Sequence, residues 1–436
     1  MLDKNQLLEI LNDWNFWKNS LEAGMPRQRY LGRAMRFLKP NVVLAITGPR
    51  RSGKSFLMRQ IARQVGKKDP RDTLIVNFED PRFSSLSPEL LSRIFEAYRE
   101  LVQPQGIPFI FLDEVHRVPH WERWVRAIHE LKKAKVAVSG SSAELLSGEL
   151  ATLLTGRHLD IVLYPLSFAE FLQFKGVALK DSLDKISKKT EIKRLLGEYL
   201  EFGGFPEVVL HQEKLPLLLA YVDDILVRDI ERRHGVRESE KLKSLAKMYL
   251  SNISSLITFN SLQGHVGLST DTIEKFSSYF EDAHLLFFVK RFSFKVKDQE
   301  KAPRKVYSVD TGAAYAAGFH HSANRGKAIE NVVAISLKMR TLEEPSTEVY
   351  YWHDSQHREV DFVVKKGRKV DQLIQVCWDI GSYGAKEREV NSLIRAGGEL
   401  RCRNLAIITL DAEGEERWKG EKIKYFPLWK WLLDMR

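Results

Sequence analysis

Eight consecutive residues, Gly48-Pro49-Arg50-Arg51-Ser52-Gly53-Lys54-Ser55, match the pattern G-x-x-x-x-G-K-[ST] at every fixed position. Each fixed residue has a mechanical reason. The glycines let the backbone curl, so that successive N–H groups point at phosphate oxygens. Lys54 would reach the β- and γ-phosphates of a nucleotide. Ser55 would offer its hydroxyl to Mg²⁺ at the positive end of the following helix. The chemistry expected is phosphoryl transfer from ATP with Mg²⁺.

A second pair of residues suits the same chemistry. Phe109-Ile110-Phe111-Leu112 is an apolar run that ends in Asp113-Glu114. A buried strand would deliver both acids at its C-terminal end, where ligands of open α/β sheets bind. Asp113 would hold Mg²⁺, and Glu114 would orient the attacking water. Val136-Ala137-Val138 runs into Ser139-Gly140-Ser141-Ser142. Ser141 there is either a γ-phosphate contact or the N-cap of a following helix. Arg157 precedes the apolar run Leu159 to Leu163. It is either an arginine finger, acting in cis or in trans, or half of a surface ion pair.

These residues need a parallel sheet to hold them. Val42 to Ile46 is apolar and β-branched, as a buried parallel strand requires. Phe56, Leu57, Ile61 and Val65 recur at helical spacing after the loop. Strand, glycine loop and helix therefore follow in the order a phosphate loop demands. The 436 residues exceed what one core supports. Apolar content is 44% and charged content 29%, an ordinary globular balance. Two cysteines, Cys377 and Cys402, cannot build a disulfide framework or a thiolate zinc site, and a reducing cytoplasm fits them. The first residues lack a long apolar run, and no apolar segment is long enough for a membrane span.

A formal net charge of +11 suits a polyanionic partner and equally an ion-pair-rich surface. Leu217 to Glu240 has a helical pattern and carries Arg228, Arg232, Arg233 and Arg237. These arginines meet either phosphates or the acids of their own helix. From Leu242 to Ala314 the pattern is short helices followed by a hairpin, the layout of a winged helix-turn-helix. Its second helix is acidic, with Asp271, Glu274, Glu281 and Asp282, which argues against base reading in a major groove. The hairpin holds Lys290, Arg291, Lys295, Lys297, Lys301, Arg304 and Lys305. It is expected to contact DNA phosphates, dock a protein partner, or remain solvated. Lys365, Lys366, Arg368 and Lys369 form a second basic strip.

Three further strands follow, Val349 to Trp352, Val360 to Val364 and Leu373 to Trp378, after a helix carrying Glu330. This stretch resembles the PD-(D/E)xK restriction-endonuclease-like fold. The resemblance places Asp361 at the metal-binding aspartate. It places Gln375 and Cys377 where an acid and a lysine belong. A thiol cannot supply that fixed positive charge, so DNA cleavage is not expected.

As a whole the chain resembles the archaeal and bacterial AAA-like, STAND-related ATPases with a DUF4143-type C-terminal region. The resemblance rests on Asp13-Trp14-Asn15, the phosphate loop, Asn77-Phe78-Glu79-Asp80-Pro81-Arg82, Leu112-Asp113-Glu114 with Trp121, Thr155-Gly156-Arg157, Pro165-Leu166-Ser167-Phe168 and Gly203-Gly204-Phe205-Pro206-Glu207. It implies an α/β P-loop ATPase domain over residues 1–165 and a helical lid over 166–238. A winged helix over 239–316 and a nuclease-like α/β domain over 317–436 would follow. It also implies that Pro206 lies against the adenine. The combined expectation is an ATPase that couples nucleotide state to DNA, alone or with a protein partner, as a homo-oligomer. A metal-dependent nuclease under ATPase control and a slow nucleotide-gated scaffold are the alternatives.

Overall fold

The computed structural model describes residues 2–140, 156–318, 325–378 and 383–434. The chain divides into two compact units, Met1–Leu163 and Tyr164–Arg436.

The first unit is built on five parallel strands: β1 (Val43–Thr47), β2 (Thr73–Asn77), β3 (Phe109–Asp113), β4 (Lys135–Ser139) and β5 (His158–Val162). Their spatial order is β2-β3-β4-β1-β5. All five residues of β1 are buried, as its unbroken apolar run requires. Helices α1 (Lys4–Asp13), α2 (Gln28–Phe37), α3 (Lys54–Val65), α4 (Pro88–Ala97) and α5 (Trp121–Glu130) accompany the sheet. Leu7, Ile10 and Leu11 of α1 join the core cluster of β2, β3, α4 and α5.

Asp13-Trp14-Asn15 follows directly from this packing. Strand β2 is at the sheet's edge, where unpaired backbone groups would invite association. Asn15 is fully buried and serves that edge: its amide donates to Ile75 O at 2.9 Å and accepts from Ile75 N–H at 2.7 Å. Trp17 Nε1 donates to Thr73 O at 2.8 Å. Trp14 Nε1 donates to Asp80, which also pairs with Arg82 at 2.7 Å. The Arg82 guanidinium and these hydrogen bonds hold the Asp80 carboxyl well below the usual range.

In the second unit, α6 (Phe168–Phe174) opens on a capping box between Ser167 and Glu170. After it come α7 (Lys189–Phe202), a five-residue helical segment Pro206–Leu210, and a helical run from Lys214 to His234. That run ends at His234, before the left-handed Gly235, so the helix anticipated as far as Glu240 ends six residues sooner. Next are α8 (Ser239–Ser251), β6 (Ser255–Ile257), α9 (Phe259–Val266), α10 (Thr270–Asp282), β7 (Leu286–Val289), a six-residue helical segment Val296–Lys301 at the tip of the hairpin, and β8 (Arg304–Ser308). The three strands form one sheet, with β8 between β6 and β7.

Helices α11 (Thr311–Ala317) and α12 (Arg325–Glu343) lead to a six-stranded mixed sheet. Its strands are β9 (Thr347–His353), β10 (Glu359–Lys366), β11 (Lys369–Cys377), β12 (Leu405–Thr409), β13 (Gly414–Trp418) and β14 (Glu421–Pro427). The order is β13-β14-β12-β11-β10-β9. Helix α13 (Tyr383–Leu400) links β11 to β12 and packs Val390, Leu393 and Ala396 into the sheet's core.

The Gly203-Gly204 pair has a local explanation within this unit. Asp310 Oδ2 accepts from Gly204 N–H at 2.7 Å, and Asp310 also caps α11. Gly203 has φ +71, and a Cβ there would lie 2.0 Å from Asp310 Oδ1. No side chain fits between these two segments. Burial raises the Asp310 carboxyl to about 6 against the pull of its backbone donors.

Candidate active site

The phosphate loop joins β1 to α3. Gly48 has φ +136, and a Cβ would meet Leu163 O at 2.2 Å, so only glycine allows the chain to turn there. Gly53 is left-handed immediately before α3, which starts at Lys54. Lys54 is buried, and its ammonium donates to Gly48 O at 3.1 Å and Pro49 O at 3.2 Å. Arriving phosphate oxygens can take over those bonds without moving the lysine out of the loop. Ser55 is half-buried on the first turn of α3, and Arg50 lies 4.0 Å from Glu79. The hydroxyls of Thr47 and Ser52 are buried and find no hydrogen-bond partner among the described residues. Unmet polar groups beside a curled backbone fit a polar ligand.

Strand order brings in the acids. β4 separates β1 from β3, and all three run parallel, so their C-terminal ends open on one edge of the sheet. Asp113 ends β3 and is buried. Ser139 ends β4; its hydroxyl donates to Asp113 Oδ1 and accepts from Glu114 N–H at 3.1 Å. Glu114 has φ +53, a left-handed backbone for a non-glycine residue, which turns the chain sharply after β3. Burial pushes the Glu114 carboxyl up, and nearby Lys54 pulls it down. His116 Nδ1 is 3.5 Å from Glu114 Oε2. Ser55 and Asp113 suit Mg²⁺, which takes few protein ligands and leaves the rest to phosphates and water.

Ser139 was not singled out from sequence, where the neighbouring Ser141 was chosen. Ser141 lies outside the described residues. The available signal was position: the last residue of the strand is the one that reaches the acid of the strand beside it.

Arg157 requires a correction. It precedes β5, and its carbonyl accepts from Val43 N–H at the beginning of β1. That is the edge opposite the phosphate loop, about 16 Å away along five residues of strand. Arg157 pairs there with Glu130. It does not serve this chain's own loop, so a role in cis is excluded by the direction of the strands. Pro206 begins the helical segment Pro206–Leu210, just after the Asp310-clamped glycines.

Lys305 also requires a correction. It was expected at a DNA surface, but it is 2% exposed. Its ammonium lies 2.8 Å from Asp361 and 2.9 Å from Glu330, and it also pairs with Glu359. Tyr307 donates to the same Glu330 oxygen at 2.7 Å. Burial opposes the Lys305 charge, but Asp361 and Glu330 outweigh it and hold its pKa well above the usual value. Burial and Asp361 both push the Glu330 carboxyl up. The buried ammonium beside Asp361 thus comes from β8. Asp361 Oδ2 accepts from Val376 N–H at 2.9 Å, and Gln375 donates to Glu389 at 2.6 Å. Among the described residues no group of three or more His, Cys, Asp or Glu side chains is placed to hold a metal.

The other expected DNA contacts divide by pairing. Lys365 pairs with Glu348, and Lys366 with Glu344 at 3.2 Å. Arg304 lies 3.6 Å from Glu300 and 5.2 Å from the Phe259 ring. Lys295, Lys297 and Lys301 are exposed and make no ion pair among the described residues.

Known proteins are similar to this chain over most of its length. A family model described as an AAA domain matches residues 40–172. Two domains of unknown function, DUF8612 and DUF4143, match residues 193–323 and 325–429. The uncharacterized protein MJ1544 of Methanocaldococcus jannaschii is 32% identical over 410 residues, 91% of this chain and 89% of its own. An uncharacterized protein of Haemophilus influenzae is 30% identical over 373 residues, 82% of this chain and 88% of its own. Among solved structures, the Walker-type ATPase PABY2304 of Pyrococcus abyssi shares 14% identity over 67% of this chain and 95% of that chain, with a TM-score of 0.38. Among the described residues no helix is long and apolar enough to cross a membrane. With its loop, acids and strand order in place, the chain belongs to the family of AAA-like P-loop ATPases that carry a DUF4143 C-terminal domain.

Proposed function

We propose that this protein is a Mg²⁺-dependent ATPase that couples its nucleotide state to an interaction with DNA. One observation carries the hydrolytic half. Lys54, Asp113, Glu114 and Ser139 stand at the C-terminal ends of β1, β3 and β4, which open on one edge. The loop amides and Lys54 bind the phosphates. Ser55 and Asp113 would hold Mg²⁺, which would supply positive charge to the phosphates. Ser139 fixes the Asp113 carboxylate and the Glu114 amide together. Glu114 orients water toward the γ-phosphorus, and its raised pKa suits a group that receives a proton. A neighbouring copy in a homo-oligomer supplies the further positive charge that Arg157 does not supply in cis.

The DNA half rests on the β7–β8 hairpin of a winged helix formed by α8 to β8. Lys295, Lys297 and Lys301 are exposed, make no ion pair among the described residues, and can meet phosphates. The nuclease-like sheet acts as a structural partner of that hairpin, because its acids are committed to Lys305. Phosphate release with and without DNA tests the coupling. Turnover that DNA does not change, in a protein that fails to bind DNA in any nucleotide state, would favour a protein-docking scaffold.

A further inference from the structure

The β7–β8 hairpin exposes more than charge. Phe294 is 82% exposed and Val296 69% exposed, and they alternate with Lys295 and Lys297. Leaving a phenylalanine in water forgoes the favourable free energy of burying it. The tip is nevertheless held in place. Ser293 Oγ accepts from Lys295 N–H at 3.1 Å, and Gln299 Nε2 donates to Ser293 O at 2.7 Å. Lys290 pairs with Glu300 at 2.6 Å across the hairpin. Phe292 is buried beneath and meets Phe294 at 5.3 Å, with the rings nearly perpendicular. No ring stacks on Phe294 among the described residues.

We infer that Phe294 is a stacking residue for an unpaired nucleobase, with Lys295, Lys297 and Lys301 holding the adjacent phosphates. The inference rests on the DNA reading above and names the form of DNA. An aromatic ring flanked by unpaired cations matches a strand whose bases are open and whose backbone is anionic. Intact duplex offers Phe294 no face to stack on, and the acidic Asp271 and Glu274 on α10 oppose entry into its major groove. Two apolar side chains are too small an area for stable anchoring to a membrane. The occupant is therefore single-stranded DNA, or a duplex with flipped or mismatched bases.

The test is fluorescence anisotropy with the full chain at fixed salt and nucleotide. The probes are a labelled duplex, the same duplex with a mismatched bubble, and a single strand. Wild type should prefer the bubble and the single strand. Phe294→Ala should lose about tenfold or more on those two and leave duplex affinity unchanged. Phe294→Trp should restore the preference. Because Phe294 is exposed, neither change should disturb folding. Equal single-strand affinity in wild type and Phe294→Ala would overturn the stacking role and leave DNA binding standing. Binding to none of the three probes would overturn the DNA reading itself. Phe294-dependent binding to anionic vesicles, with none to DNA, would reassign the tip to a lipid surface.

Discussion

Lys305 Nζ lies 2.8 Å from Asp361 Oδ1, although the two residues are 56 positions apart in the chain. One belongs to the β7–β8 hairpin and the other to the six-stranded sheet, so a single buried ammonium ties these parts of the second unit together. Asn331 adds to the same seam, exchanging two hydrogen bonds with the backbone of Ser308.

Replacing Lys305 by Met should destabilise the protein by about 3–5 kcal/mol, because Asp361 and Glu330 would remain buried without a counter-charge. Burial, no longer opposed by the ammonium, would then raise the Glu330 carboxyl further in the folded state. The contribution of the Glu330 proton to stability is present at low pH and lost as pH rises, so Lys305→Met should be weakest at high pH. Denaturant melts across pH check this. Adding Asp361→Asn and Glu330→Gln should recover part of the loss. A single Met variant as stable as wild type would remove the seam from the account.

Asp310 gives a second pH signature. Its folded-state pKa is about 6, above the ordinary value of 3.8. The folded protein therefore holds that proton more tightly, and the resulting stability is full below about pH 4 and lost as pH rises through 6. Asp310→Asn lacks this term, so wild type should gain on the variant by roughly 1–3 kcal/mol between pH 7 and pH 4. Parallel stability curves would contradict the buried clamp on Gly204.

Ser139→Ala should leave nucleotide affinity near wild type and lower turnover by about tenfold or more. The Asp113 carboxylate and Glu114 amide would lose their shared partner, and misplacement of catalytic groups is costly. Equilibrium binding and single-turnover hydrolysis separate the two effects. Full turnover would reduce Ser139 to a strand-end residue.

Replacing Lys295, Lys297 and Lys301 together by Glu should weaken binding to every DNA sequence. It should also flatten the salt dependence, since each neutralised phosphate contributes about 0.9 to the slope of log affinity against log salt. A titration on two unrelated duplexes reads both quantities. An unchanged slope would move the hairpin to protein docking.

The nucleotide site was legible because its chemistry is contiguous in sequence. Gly48 to Ser55 and Asp113-Glu114 each sit at the end of an apolar strand, and local pattern fixes both. For Arg157 the sequence left a finger and a surface ion pair open, and its place before its strand, away from the end where ligands gather, already favoured the ion pair with Glu130. Lys305 could not be read the same way. Its charge looks like its neighbours' in sequence, and only tertiary packing buries it against Glu330 and Asp361. The three strands from Thr347 to Cys377 were anticipated within a few residues because alternation and turn residues mark them.

The most direct test of the central claim is a paired measurement on Glu114→Gln. The substitution keeps the phosphate loop intact and removes the carboxylate that orients water. Nucleotide affinity should stay within about threefold of wild type, while phosphate release should fall by about a hundredfold or more. Lys54→Ala in the same assay should lose binding or hydrolysis through the missing charge. Wild-type phosphate release by Glu114→Gln would contradict the assignment of this edge of the sheet as the hydrolytic centre.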